Sequence, residues 1–486
     1  MRISYHERQG IAMEENNNEV FQPTPPRRRR RRSKWQNFKE AYLPAIIAAA
    51  ALILIIVFIV GSVKRSKAQE DPSSAQDSTI SSSEALQMEA DSLLSRAAVL
   101  ASHYDYQAAI DLLGSYSAGV DSNEAIKAKH EEYRIAMSQL VDFTDVEQVP
   151  VLGFNLLMAD LPRSLADETY GSKFNQNYVT TGEFQKILQQ LYDNGYVLVG
   201  LHDLAQFSTG ADGKTVVTKG TLALPQGKKP IVLTQQGANY YTYMVDGDGD
   251  GIADPKGAGF ASKLIVDSSG KLMNEMVTGD NTTTVGAFDL IPILDEFVSA
   301  HPDFSYHGAK AVIALTGYDG LFGYRTDPET ATKISQEYYD KDMAAVGTVI
   351  QAVRDSGYEL ACYTYDQVGY SDMSSTDIKT DLDLWQKEVT PLLGNVDILV
   401  YPDGSDIGGT DPYSGETYDL LAGYGFRYFM GQDNAAKSWG QITDQYARST
   451  RRWVTGSAMA HSPEQFSDLF DAAAVLDKEH RGDIPS

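Results

Sequence analysis

The 486-residue chain has a single cysteine, Cys362, so no disulfide can form within it and the folded part must be held by its core alone. Its eight histidines include no pair at i, i+4, the spacing that sets two imidazoles on one helix face for a metal. Basic residues are scarce beyond position 67: 28 Lys/Arg stand there against 61 Asp/Glu, a net of −33. So acidic a surface speaks against nucleic acid as a partner. Long apolar runs are also missing, with one exception.

That exception lies near the start. Ala41 to Val63 has no charged side chain, and its Ala45–Val60 core is long enough, at about 1.5 Å per residue, to cross roughly 30 Å of hydrocarbon. Residues 41–63 are therefore expected to form a transmembrane helix. Residues 1–67 hold 13 Lys/Arg against 5 Asp/Glu, with Arg27–Arg32, Lys34 and Lys39 before the apolar run. The positive-inside rule then makes residues 1–40 a basic cytoplasmic tail and places the bulk of the chain outside the cytoplasm. A cleaved signal peptide is the alternative, but the run exceeds a typical h-region and starts far from Met1. The Arg run reads as a topology determinant touching anionic lipid, not as a nucleic-acid site.

Residues 64–83, rich in Ser, Asp and Gln, read as a flexible linker. From 84 to 142 the pattern turns helical: Leu86, Ala90, Leu93, Leu94, Ala97 and Ala98 share one face, and Tyr106, Ala109, Ile110 and Leu113 another. A third helix is expected from about Asn123, with Asp121 and Glu124 spaced as a capping pair. Asp105–Leu113 is similar to the second helix of a tetratricopeptide unit, but one copy makes no solenoid. The segment reads as a helical stalk packed on the main domain. The alternative is a platform for another envelope protein.

From Val149 to about 475, short apolar runs alternate with helical patterns. Strands are expected at Val149–Phe154, Tyr196–Val199, Pro230–Thr234, Ala311–Leu315, Tyr358–Tyr363, Val396–Tyr401 and Phe426–Met430. Helices are expected around Phe184–Leu191, Phe288–Phe297 and Met343–Val353. The fold class is α/β, a distorted (β/α)7-type barrel, with residues 476–486 as a C-terminal tail.

Val149-Pro-Val-Leu, Val179-Thr-Thr-Gly-Glu-Phe184, Leu191-Tyr-Asp-Asn-Gly-Tyr196, Leu201-His-Asp-Leu204 and Pro230-Ile-Val-Leu-Thr234 follow one another in an order and spacing that resemble the opening of a polysaccharide deacetylase (NodB-homology, carbohydrate esterase family four) domain. Gly357–Tyr365 and Leu399–Gly404 are similar to that family's second and third motif regions. The resemblance covers Val149 to Leu469. It implies a barrel that removes acetyl groups from cell-wall glycans with a metal held by an Asp and two His and a second Asp as base. A metal acidifies bound water and polarises the acetyl carbonyl, and a carboxylate takes the proton.

Position by position, those groups are replaced. The family's Thr-Phe-Asp-Asp-Gly falls on Thr234-Gln-Gln-Gly-Ala238, which puts Gln236 at the base and Gly237 at a metal ligand. The paired His of the family's His-Thr-x-x-His fall on Tyr363 and Gln367, and the early Tyr-His on Phe154-Asn155. No Zn2+ is expected, and the resemblance implies a barrel without the family's catalytic site. An active deacetylase with relocated groups, drawn from Asp319, Asp403, Asp406 or His461, is the enzymatic alternative.

After the central strand comes Asp246-Gly-Asp-Gly-Asp-Gly-Ile-Ala-Asp254, with carboxylates at loop positions 1, 3, 5 and 9 and Gly251 at position 6. This is a calcium-loop pattern: Asp246, Asp248, Asp250 and Asp254 converge on one hard cation while the glycine permits the sharp turn. Position 12 is Gly257, so Ca2+ affinity should be weak. The other reading is a solvated acidic turn. Aromatic residues at the strand ends, Tyr240, Tyr241, Tyr318, Phe322 and Tyr401, are candidate liners of a glycan groove, with core packing as the competing role. The leading expectation is a membrane-anchored bacterial envelope protein that binds peptidoglycan or another cell-wall glycan, or scaffolds there, without catalysis.

Overall fold

A computed structural model describes residues 81–210, 215–433 and 438–485. The basic tail, the expected transmembrane segment 41–63 and the linker up to residue 80 lie outside the described residues. Among the described residues, no helix is long and apolar enough to cross a membrane. The chain divides within its first described helix into residues 1–89 and residues 90–486.

That helix, α1 (Ser82–Ser102), begins with a reciprocal cap: the Glu84 amide donates to Ser81 Oγ at 3.2 Å and the Ser81 amide to Glu84 Oε2 at 2.8 Å. With α2 (Tyr106–Gly114) and α3 (Glu124–Ser138) it builds a small core of its own, from Ala90, Leu93 and Ala97 against Ile110, Leu113, Ile126 and Tyr133. The cap of α3 is Asn123, not Asp121. Asn123 directly precedes the helix, so its Oδ1 reaches the amides of Ala125 and Ile126 at 3.0 and 3.2 Å. Asp121, in the preceding turn, pairs with Lys127 at 2.9 Å. Tyr104 donates to the Asp303 carbonyl at 2.7 Å and the His307 amide to that of His103 at 2.9 Å, which fixes the helices to the larger body.

The larger body is a closed barrel. Its elements, in chain order, are β1 (Val151–Phe154), α4 (Thr181–Asp193), β2 (Tyr196–Leu198), β3 (Lys229–Gln236), α5 (Thr242–Val245), α6 (Leu290–Ala300), β4 (Ala311–Leu315), α7 (Gln336–Asp355), β5 (Glu359–Cys362), α8 (Ser375–Leu384), β6 (Ile398–Val400), β7 (Tyr428–Gln432) and β8 (Ala447–Trp453). Seven strands, β1, β3, β4, β5, β6, β7 and β8, pair in parallel round a full ring, β8 returning to β1 through Arg452–Leu152 and Trp453–Gly153.

Seven parallel strands match the expected number, but one member differs. Tyr196–Leu198 pairs with the first residues of β3 and, through Leu198, bridges to Ser305, and it lies alongside the ring. The ring is instead closed by β8, Ala-Arg-Ser-Thr-Arg-Arg-Trp, whose three arginines disguise a buried strand as a surface segment. Alternation explains the wall: Val151, Val232, Val312, Ala314, Ala361 and Val400 form one cluster inside, while Leu152, Leu233, Ile313, Leu360 and Leu399 turn outward to α4, α6 and α7. Helix α4 starts with the capping box of Thr180 and Glu183, and Phe184, Ile187, Leu188 and Leu191 give it one apolar face.

The last residues pack inward. Arg481 and Glu183 side chains are both fully buried, joined through Nε–Oε1 at 2.7 Å and Nη2–Oε2 at 2.5 Å. Arg481 also donates to the Asn175 carbonyl and Oδ1, each at 3.0 Å, and to the Tyr178 carbonyl at 2.8 Å.

Candidate functional site at the barrel mouth

Chemistry in such a barrel gathers where the parallel strands end. Those ends bring together Asn155 after β1, Gln236 closing β3, Tyr363 after β5 and Arg451 in β8. Arg451, Gln236 and Asn155 form a chain of hydrogen bonds. Arg451 Nη1 donates to Gln236 Oε1 at 2.5 Å, Gln236 Nε2 to Asn155 Oδ1 at 3.0 Å, and Asn155 Nδ2 to the Asn177 carbonyl at 3.0 Å. The remaining Arg451 bonds, each 3.0 Å, run from Nε to the Gly431 carbonyl and from Nη2 to the Tyr401 carbonyl. Arg451 is fully enclosed, and burial pulls its pKa down to about 10, with Tyr363 and Asp403 opposing that shift. It stays a cation at neutral pH.

Gly237 is as telling as Gln236. Its φ is +66°, and a Cβ added there would lie 3.1 Å from both Cε2 and Oη of Tyr241. The Tyr241 ring fills the room that a ligating side chain would need. Tyr363 is buried among nonpolar barrel residues, and burial pushes its phenol well above the usual range. Gln367 is exposed. An amide, a bare Cα, a buried phenol, an exposed amide and a resident guanidinium do not make a donor set for a divalent metal.

The relocated candidates do not converge either. Asp319 is buried, accepts from Thr330 Oγ1 at 3.2 Å and from the Thr242 amide, and faces Arg325 at 3.9 Å. Asp406 accepts from Tyr413 Oη at 2.5 Å. His461 is exposed and meets the Ile484 carbonyl at 2.9 Å, and Asp403 stands exposed on the rim. Among the described residues, the one group of three carboxylate or imidazole side chains with ligand atoms within 4.8 Å is Asp246, Asp248 and Asp254. Asp250 falls outside that trio, its Oδ1 accepting from the Ile252 amide at 2.9 Å. Asp246 caps the loop through the Asp248, Gly249 and Gly251 amides, and Gly251 has φ +87°, as the spacing requires.

Four of the five aromatic liners turn out to be core. Tyr240, Tyr241, Phe322 and Tyr401 are 0–4% exposed, because each strand-end turn folds its ring back under the loop and offers no face to a ligand. Tyr240 donates to Asp289 at 2.9 Å, and the same carboxylate holds Gln235 Nε2 at 2.8 Å and the Leu157 amide at 2.9 Å. Tyr318 is partly open. It stacks on Tyr241 at 6.0 Å and 28°, and Tyr241 on Tyr243 at 5.7 Å and 17°. Tyr243 is 36% exposed, with Tyr170 edge-on at 5.3 Å. The aromatic surface at the mouth is therefore Tyr243, Tyr318 and Tyr170, with Tyr241 behind them. Tyr243 lies in the single turn of α5 that leads into the acidic loop.

Backbone strain concentrates here. Tyr240, Asp319, Phe322, Thr364, Gln367 and Asp403 all have φ between 51° and 65°, and all lie in turns just beyond β3, β4, β5 and β6. Non-glycine residues held in this region gather at functional sites.

No protein-family profile matches the chain, and no curated protein does. Among solved structures, a Streptococcus pyogenes deacetylase, PplD in complex with acetate, is similar over 66% of this chain and 97% of its own, at 13% identity and a TM-score of 0.34. So distant a likeness carries no argument about activity. The barrel rests on its own strand pairing.

Proposed function

We propose that this chain is a bacterial envelope protein, anchored through residues 41–63, whose barrel binds a cell-wall glycan at its mouth without cleaving it. The observation that carries the reading is the pair of substituted strand-end positions. Gln236 is engaged at both ends of its amide by Arg451 and Asn155, and the Tyr241 ring closes the space above Gly237. Both contacts favour a mouth that binds without a base or metal at these two positions. Tyr243 and Tyr318, backed by the buried Tyr241, support a binding role, since rings exposed on one side can cover the apolar face of a sugar. The Asp246–Asp254 loop is read as a weak Ca2+ site, supported by its convergent carboxylates.

The test is metal analysis of the purified protein together with acetate release from acetylated chitooligosaccharides and peptidoglycan. Binding that weakens on Tyr243→Ala, without acetate release, is the expected result. Stoichiometric zinc with turnover would refute the reading.

A second reading, the helical stalk as a receptor for another envelope protein, is favoured by Val99, Ile135 and Val141, which stand 50–59% exposed. It places binding on those residues and leaves Tyr243→Ala without effect.

A further inference from the structure

Five arginines are buried in the described part of the chain: Arg325, Arg448, Arg451, Arg452 and Arg481. Four of them face a carboxylate. Arg325 has Asp319 at 3.9 Å, Arg448 has Asp406 at 3.9 Å, and Arg452 and Arg481 have Asp468 and Glu183, each at 2.5 Å. Arg451 has none within 4 Å among the described residues, and Asp403 on the rim acts on it only through its charge. Its acceptors are two main-chain carbonyls and the neutral amide of Gln236, which use three of the five N–H donors of a guanidinium.

A buried charge with only neutral acceptors is costly to the fold, and the remedy is close at hand: an acidic residue at position 236 would pair with it. The chain keeps glutamine instead. The guanidinium sits at the functional end of the barrel, one side chain below the opening. Gln236, directly above it, is 5% exposed, and Asn155 beyond is half-buried. Strained turns surround it on the β5 and β6 sides, at Thr364, Gln367 and Asp403. The other four arginines hold loops and termini together, each with a carboxylate of the protein within 4 Å, although Arg448 Nη1 and Arg452 Nε make no hydrogen bond. Arg451 alone retains charge for something that arrives.

We infer that Arg451 receives a carboxylate of the bound ligand, which displaces the Gln236 oxygen and forms a paired hydrogen bond with the guanidinium. This rests on the glycan reading above and narrows it: the saccharide is an acidic one. A carboxylate is matched in shape by the planar donor fork, which a lysine in the same place would not offer.

N-acetylglucosamine and N-acetylmuramic acid differ by one lactyl ether bearing a carboxylate, so calorimetric titration of the full-length protein with each isolates that group. The acidic sugar should bind about tenfold tighter or more at low salt, and sodium acetate should compete with it. Arg451→Gln should erase the preference. Because that variant removes three internal hydrogen bonds and could fail to fold, Gln236→Glu is the decisive companion. It supplies a resident carboxylate, keeps the barrel closed, and should abolish both the preference and the acetate competition.

Equal affinity for the two sugars overturns the inference and leaves glycan binding standing, as does a preference that survives Gln236→Glu. Binding of acetate alone, lost in Gln236→Glu, would uphold the carboxylate receptor and remove the glycan reading. Silence from both sugars and acetate removes the inference.

Discussion

Arg481 lies five residues from the end of the sequence, yet replacing it should be among the most damaging single changes in the chain. Its guanidinium makes two bonds to Glu183 and three to Asn175 and Tyr178. Glu183 in turn accepts the Thr180 amide at 2.7 Å, which starts α4, and the Asp477 amide at 2.9 Å. Arg481→Met leaves a carboxylate with no side-chain exposure and no cation, a loss of about 3–5 kcal/mol for a broken buried pair. Apolar replacement of both partners often restores stability, but not here. Glu183→Leu with Arg481→Met would also strand the Thr180 and Asp477 amides, each worth about 1–3 kcal/mol when buried and unmet. The double variant is expected to be no more stable than the single one. Arg481→Lys should recover only part of the loss, because one ammonium cannot span Glu183, Asn175 and Tyr178 together. Equilibrium urea unfolding, extrapolated to water, reads all three, and a chain ending at Leu476 should behave like Arg481→Met. A loss below about 1 kcal/mol for Arg481→Met, or full recovery in the double variant, would refute the reasoning.

Three further outcomes are expected. His202, at the opposite end of the barrel, meets Glu359 at 2.6 Å and Asp397 at 3.1 Å; burial lowers its pKa, but the hydrogen bonds and charges of Asp397 and Glu359 outweigh that and raise it to about 10. A folded value above the unfolded 6.5 means stability fully present below pH 6.5 and lost as pH rises through 10, so His202→Gln should flatten the pH 7–10 slope in thermal unfolding. Burial lifts both Asp289 and Asp381 from 3.8 to about 6, against the hydrogen bonds they accept, so the folded state binds more protons between those values. Stability should therefore fall as pH rises from about 4 to 6, and Asp289→Asn should reduce that slope, as potentiometric proton uptake on folding can check. Calcium titration should reveal one site with Kd about 10⁻⁴–10⁻³ M that disappears in Asp246→Ala, Asp248→Ala.

The barrel was legible wherever its strands are apolar. Ala311–Leu315 was placed to the residue, and β5, β6 and β7 within one to two positions at either end, because Val, Ile and Leu on both faces of a parallel strand leave little else to be. β8 escaped for the opposite reason. Its arginines are held by Asp406, by Asp468 and, for Arg451, by strand-end carbonyls, partners 16 or more residues away that no local pattern announces. The mouth was found through Gln236 and Gly237, but its actual lining was not. A strand-end tyrosine reads the same whether it turns inward, like Tyr240, or outward, like Tyr243. The difference lies in a left-handed φ of 51° at Tyr240 that tertiary packing imposes.

Closure by β8 has a consequence for how the chain comes to be folded. The strand that completes the ring is the last of the seven to be made, and it must join β1, made about three hundred residues earlier. Until then the free edges of β1 and β7 expose unpaired amides and carbonyls, the template for pairing with a neighbouring chain. Three positive charges in seven residues make β8 itself a poor partner for its own copies during that interval. The arginines that hold the finished barrel together also keep its final piece apart from others until it docks.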